Sequence, residues 1–234
     1  MSQIKERPIL FSAPMVRAIL EGRKRVTRRA VKGFQIPTED TAIPIGDRHR
    51  WSAIGQRDPR YGFCVFGSTE AECAKELEVY APCPYGKPGD RLWVRETFAF
   101  ADKSGSHDAA PDDHWRPARP GMEPEIYRCW YRASDGHTAD GFWKPSIHMP
   151  RWASRILLEI TDVRVERLQD ITEDQAKSEG IKPSKHVEDW FAYDDSATAF
   201  ASAAIAFGAL WNSVGGDWYA NPWVWVVEFK RVMP

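Results

Sequence analysis

The chain has 234 residues, is 12% aromatic with 11 tryptophans, and carries a formal net charge of −1. That length buries a real core as one domain or two, and the near-zero charge argues against a generic nucleic-acid coat protein. No run of about 18 apolar residues and no apolar leader core occurs, so neither a membrane span nor a signal peptide is expected, and a cytoplasmic location is.

Residues 7–11 predict a first strand. A short helix follows over 13–21, with Ser12 as its cap, Pro14 in its first turn, Met15 and Ile19 on one face and Gly22 as a left-handed stop. The run Gly22-Arg23-Lys24-Arg25-Val26-Thr27-Arg28-Arg29 then leaves the helix at a fixed exit and sets one hydroxyl among cations. It reads either as a solvated basic turn or as a site. Lys5, Arg7, Arg17 and Lys32 add to the same basic segment, while residues 166–195 are rich in acids. A local patch of this kind can attract phosphate.

Residues 33–58 read as loop, and 61–66 and 76–80 as a strand pair. Pro84-Tyr85-Gly86-Lys87-Pro88-Gly89-Asp90 is a dense turn signal launching an alternating strand over 91–98. Residues 99–150 form a polar excursion with one strand over 126–133. Its rings Trp115, Trp130, Tyr131 and Trp143 either line a site or pin the long loop down. Residues 154–168 suggest one long bent strand or two successive ones.

Thr172 and Gln175 make a capping box for a short helix that Gly180 ends. Glu179 then stands at the last helical position, where the negative end of the dipole disfavours a carboxylate by about 0.3–1 kcal/mol. A longer helix is expected over 197–214, with Phe200, Ala204, Phe207, Trp211 and Val214 on one stripe and Gly215-Gly216 as its stop. The closing strand, 223–232, puts Trp223, Trp225, Val227 and Phe229 on one face. Strands that do not alternate regularly with helices predict an α+β fold, a mixed β-barrel with short helices packed at its ends.

Cys64, Cys73, Cys83 and Cys129 are too irregularly spaced for a zinc pair and read as free thiols. The six histidines form no short-spaced ligand motif. No metal and no cofactor is therefore expected.

Three landmarks in order carry a resemblance. They are Gly22, Lys24, Thr27 and Arg29 in a G-x-K-x-x-T-x-R pattern; the Pro88-Gly89-Asp90 turn before Leu92-Trp93-Val94; and the long strand, the helix ending Glu179-Gly180 and the closing Val227-Glu228-Phe229-Lys230. Together they resemble the ASCH (activating signal cointegrator homology) domain, a relative of the PUA fold of pseudouridine synthases and archaeosine transglycosylases. The whole chain looks like long ASCH proteins of bacteriophages or prophages. The resemblance implies one PUA-like domain over 1–234 with insertions at 33–81 and 99–150. Small bacterial members hydrolyse the amide of N4-acetylcytidine with a lysine and a threonine of the signature and a glutamate ending the later helix. By position these are Lys24, Thr27 and Glu179, while other members are thought to bind or cleave RNA.

Amide hydrolysis needs a nucleophile, a base, an oxyanion donor and an acid for the leaving amine. Lys24, Thr27, Arg29 and Glu179 can fill those roles. Thr27 attacks only if Lys24 takes its proton, which requires burial and neighbouring cations to pull Lys24 down; in the other route Glu179 activates water and Thr27 only donates. As a purely structural pair, Lys24 and Glu179 would tie the first loop to the later helix. Gly22, Arg28, Arg29 and Trp93 are the expected substrate-binding residues, Trp93 as a stacking ring and the arginines as phosphate guides.

The partner expected is a nucleoside, modified base or RNA. A non-catalytic RNA-binding module and a ribonuclease using Lys24 and Glu179 are the alternatives. The sequence carries no signal of an oligomeric state.

Overall fold

The computed structural model describes residues 4–31, 35–58, 61–80, 83–101, 128–135, 143–184, 189–192 and 198–233. Along them run β1 (Glu6–Leu10), α1 (Ala13–Leu20), β2 (Val26–Ala30), β3 (Thr38–Glu39), β4 (Trp51–Asp58), β5 (Tyr61–Gly67), α2 (Glu70–Tyr80) and β6 (Arg91–Arg95). There follow β7 (Phe98–Ala101), β8 (Arg128–Tyr131), α3 (Arg132–Asp135), β9 (Leu157–Arg167), α4 (Glu173–Ser178), β10 (Lys182–Pro183), β11 (Trp190–Phe191), β12 (Ala199–Phe200), α5 (Ala203–Ser213) and β13 (Trp223–Val232). The fold is α+β, as the sequence predicts.

The largest sheet has the order β1-β6-β9-β13-β2, with β1 and β6 parallel and every other pair antiparallel. β13 is its organising strand. Trp223, Trp225, Val227 and Phe229 join Ile9, Leu92, Val94, Leu158 and Ile160 in the main core, the face expected from their alternation. Val224 and Val226 point the other way, with Val26, into a second core under Ala176, Ala206 and Phe207 of α4 and α5. Burial on both faces is why β13 reads as an almost unbroken apolar run. No ladder joins β1 to β2 along the described strands. The two edges still approach: Arg29 Nη2 of β2 donates to the Leu10 carbonyl of β1 at 2.7 Å.

The stretch before the capping box is one strand, not two. β9 and β13 change register between Ile160 and Asp162, which leaves Thr161 unpaired. Such a bulge bends a strand without ending it.

Several elements differ from expectation. Residues 76–80 are helical, part of α2, and 51–58 are strand β4, the antiparallel partner of β5, inside a stretch read as loop. Strand 91–98 breaks at Glu96-Thr97 into β6 and β7. Residues 132–135 turn helical. Helix α5 begins only after Ser202, whose hydroxyl accepts from Ile205 N, while Ala199-Phe200 pair as strand with β11. The buried face of α5 is Ala203, Ala206, Phe207 and Leu210, so the stripe is rotated and Val214 is exposed. Ser12 occupies the N-cap position of α1 without a side-chain capping bond.

The first of the two expected insertions carries a small core of its own. β3, β4 and β5 with α2 enclose Ala53, Val65, Cys73 and Leu77. This unit docks on the main sheet through Glu70, which accepts from Arg167 and from Trp223 Nε1. At the borders of the second, Met149 packs with Phe98 and Ala153 of the flanking segments, and Arg155 grips the buried Glu96 carboxylate with two nitrogens at 2.9 and 3.0 Å. Trp115 lies outside the described residues. Among the described residues no helix is long and apolar enough to cross a membrane.

Candidate functional site

Gly22 takes φ +76 and turns the chain out of α1, as the left-handed stop requires. The basic run then docks on the end of α4, where the last carbonyls of a helix lack partners of their own. Arg25 N donates to Ser178 O at 2.8 Å, Lys24 Nζ to Glu179 O at 3.0 Å and Arg23 Nη1 to Gly180 O at 2.5 Å. Three successive carbonyls are thus capped by three successive residues, two of them with cations placed where the dipole favours them. Gly180, at φ +100, makes the approach possible. A Cβ there would lie 2.9 Å from the Ala18 Cβ and 3.2 Å from the Lys24 Cβ. The capping box that opens α4 is formed in both directions between Thr172 and Gln175.

Docking α4 this way seats Glu179, its C-cap residue, on Lys24. Lys24 Nζ stands 2.5 Å from Glu179 Oε2, and both residues are buried, 2% and 3% exposed. The three protons of a Lys24 ammonium have three acceptors: Glu179 Oε2, Glu179 O and Val26 O at 2.9 Å. Burial pulls the Lys24 ammonium below its ordinary 10.5; Glu179 raises it in opposition, and Arg29 and Arg28 press it down further. The carboxylate's other oxygen, Oε1, accepts from Arg28 Nη1 at 3.2 Å.

β2 sorts the remaining candidates by face, because cross-strand partners share a side of the sheet. Val26 and Arg28 lie opposite Glu228 and Val226; Thr27 and Arg29 lie opposite Val227 and Trp225, on the main-core side. Arg28 has no exposed side-chain surface, and besides Glu179 it meets Gln175 Oε1 at 3.0 Å and Glu166 Oε2 at 3.3 Å. Its guanidinium is 5.8 Å from the Phe207 ring. It is a clamp on carboxylates, not a guide held out to phosphate.

Thr27 is buried and makes no hydrogen bond to Lys24 or Glu179. Arg29 and Lys24 both flank the Phe11 ring, at 5.3 and 5.6 Å.

Trp93 sits between Leu92 and Val94, which face the main core, so its ring lies on the other side of β6. Arg95 covers it at 4.9 Å. Tyr85 also stands beside the cluster, packed against the main core and close enough for the Arg29 charge to reach its hydroxyl. Tyr85 was passed over in sequence because it stands inside a turn signal. Phe11, Glu166 and Gln175 were likewise missed as members of this cluster.

Two openings touch the cluster. A crevice of about 10 Å³, with room for about one water, is lined by Met15, Ala18, Arg23 and Glu179. A wider cleft of about 370 Å³ runs past Arg25, Thr161, Gln175, Ser178 and Phe229, and shares Val26 and Gln175 with the walls of the buried cluster.

No protein-family model, curated protein or solved structure matches the chain. The site therefore stands on its own geometry. Among the described residues no group of three or more histidine, cysteine or acidic side chains is arranged to hold a metal ion.

Proposed function

We propose that the protein is an ASCH-type, PUA-like barrel that takes a nucleoside, modified base or RNA segment and hydrolyses an exocyclic amide such as that of an N4-acylated cytidine. The observation that carries this reading is the 2.5 Å contact of Lys24 with Glu179, two groups 155 residues apart brought together out of water. The barrel part rests on the approach of the sheet's two edges at Arg29 and Leu10. A cleft of about 370 Å³ is of the size that small ligands occupy.

The geometry favours the water route over a threonine nucleophile. Thr27 has no hydrogen bond to Lys24, whose protons are all engaged elsewhere, and the crevice beside Glu179 fits one water. In this route water attacks the acyl carbonyl and Glu179 takes its proton. Lys24, its ammonium made more acidic by burial, gives a proton to the leaving nitrogen as the C–N bond breaks. The proton on Glu179 then crosses to Lys24 and restores the pair. Amide and water become amine and carboxylic acid.

The test is mass spectrometry of products from N4-acetylcytidine and from a structured RNA, with the parent, Glu179→Gln and Thr27→Val. Free cytidine from the parent and Thr27→Val but not from Glu179→Gln is the expected result; loss in Thr27→Val makes the threonine the nucleophile. Cleaved RNA, abolished by Lys24→Ala, makes the protein a ribonuclease. A second reading, a binding module without turnover, is favoured by the complete engagement of Lys24. It predicts no product from either substrate and RNA binding that falls steeply with salt and survives Glu179→Gln.

A further inference from the structure

Glu179 is held by two cations, one on each oxygen, and the two are not equivalent. Lys24 reaches Oε2, has Glu179 O and Val26 O as further acceptors, and lies beside the Phe11 ring. Arg28 reaches Oε1 from β2, and is itself fixed by Gln175 of α4, Glu166 of β9 and the Phe207 ring of α5. The Gln175 Oε1 that takes Arg28 Nη2 also takes Thr172 N in the capping box. The guanidinium is thereby tied to the start of the helix whose end bears Glu179. Glu166 in turn is shared with Arg164, which also meets Asp162 and Glu228. An arginine keeps its charge under all accessible conditions, whereas a buried lysine does not.

We propose that Arg28 is the positioning residue of this site: it is the standing counter-ion of Glu179, so that Lys24 can release its proton without leaving a buried carboxylate unpaired. The proposal rests on the proton-transfer reading of the Lys24–Glu179 pair but is tested without substrate. Every charged group facing Lys24 has a defined sign here. Glu179 holds its proton on; Arg28 and Arg29 drive it off. Taking Arg28 away makes Lys24 the only cation on Glu179 and tightens its hold on the proton. Neutralising Glu166 acts in the opposite sense, because Arg28 then serves Glu179 with one competitor fewer and the local potential becomes more positive.

The experiment is an ¹⁵N-lysine NMR titration of the full chain, following the Lys24 side-chain nitrogen, assigned by its loss in Lys24→Arg. In Arg28→Gln the Lys24 midpoint rises by about one pH unit, the usual effect of one nearby charge. In Glu166→Gln, a half-buried position that keeps its hydrogen-bonding capacity, it falls by a smaller amount. Arg28→Lys, which retains the charge, stays nearer the parent than Arg28→Gln. An unmoved midpoint in Arg28→Gln, or a midpoint in Glu166→Gln that stays or rises, overturns the proposal. Should Arg28→Gln fail to fold, the sign in Glu166→Gln decides alone. Lack of amide hydrolysis with both shifts present removes the proposed reaction and leaves the role of Arg28 standing; hydrolysis without the shifts does the reverse. Where both hold, Arg28→Gln moves the pH–rate profile in the same direction as the Lys24 midpoint.

Discussion

Asp90 and Glu179 are the two buried carboxylates of the sequence landmarks, 4% and 3% exposed. Asp90 accepts from Lys5 N at 3.1 Å, Arg7 Nη1 at 2.8 Å and Lys87 N at 3.4 Å, which bolts β1 to the turn before β6. Burial pushes its carboxyl up, but the hydrogen bonds from Arg7 and the backbone outweigh it and hold the group below its usual range. Two of its three donors are amides that never titrate. Among the described residues Glu179 instead faces side-chain cations, one of which, Lys24, is itself pressed toward neutrality. A carboxylate held by amides is a fixed tie, whereas one held against a weakened ammonium can exchange a proton. Burial alone does not separate the two; the identity of the donors does.

The largest effect that can break this contrast is on stability. Glu179→Ala leaves Lys24 and Arg28 facing one another without their shared anion, which should cost about 3–5 kcal/mol in urea unfolding at pH 7. Lys24→Met combined with Glu179→Gln should recover most of that loss and still give no turnover. If the double variant is no more stable than Glu179→Ala, the pair is not the seat of the destabilisation. Next comes Asp90→Ala, with about 2–3 kcal/mol for charge-assisted bonds, and kcat should be unchanged because the tie is remote from proton transfer. The difference between the parent and Asp90→Asn should be constant above the usual carboxylate range. It should fade as pH falls through the folded-state value, since a depressed carboxyl stabilises only when ionised.

Lys24 supplies a pH signature of the same sign in an alkaline window. Its ammonium is weaker in the folded chain than in the unfolded one, so between its folded midpoint and about 10.5 the unfolded state binds more protons. Stability of the parent relative to Lys24→Met should therefore rise with pH across that window. A flat difference would mean that burial and the two arginines are fully offset by Glu179.

The legible parts of the molecule were those with strong local signals. β13 was read at its observed limits because four large apolar residues alternate along it, and the end of α4 because a capping box and a left-handed glycine bracket six residues. One strong signal is hidden. Thr69 and Glu72 form a T-x-x-E start, and in the structure Glu72 N donates to the Thr69 hydroxyl at the head of α2. The alternation of Leu77 and Val79 hid it by imitating a strand.

β2 was illegible for a different reason. Val-Thr-Arg-Arg-Ala opens with two β-branched residues but shows no apolar alternation, and it is placed as a strand by pairing with β13. Only that pairing reveals that Arg28 and Arg29 face opposite ways, one toward Glu179 and the other toward Phe11. The Lys24–Glu179 contact followed from the family resemblance, but nothing local in the chain encodes the arginine on the carboxylate's second oxygen.

The smallest effect sharpens the contrast from the side of Asp90. Cys83 opens the same turn: its carbonyl accepts from Gly86 N, and burial pushes its thiol up to about 11. Cys73, inside the unit built from β4, β5 and α2, is also pushed up to about 11 by burial, while Cys64 is exposed. Reactivity requires the thiolate and access to it, so alkylation at pH 8 should label Cys64 first and Cys73 and Cys83 slowly. In Asp90→Ala, loss of the tie should let the turn open locally. Cys83 should then react several-fold faster while Cys73 keeps its rate, because opening free energies differ between regions of one fold. Equal acceleration at both thiols would mean that Asp90 stabilises the chain as a whole. The rates in Glu179→Gln complete the comparison: Cys83 packs in the main core and α4 on the second, so a fixed tie at Asp90 predicts no change there when the other carboxylate is neutralised.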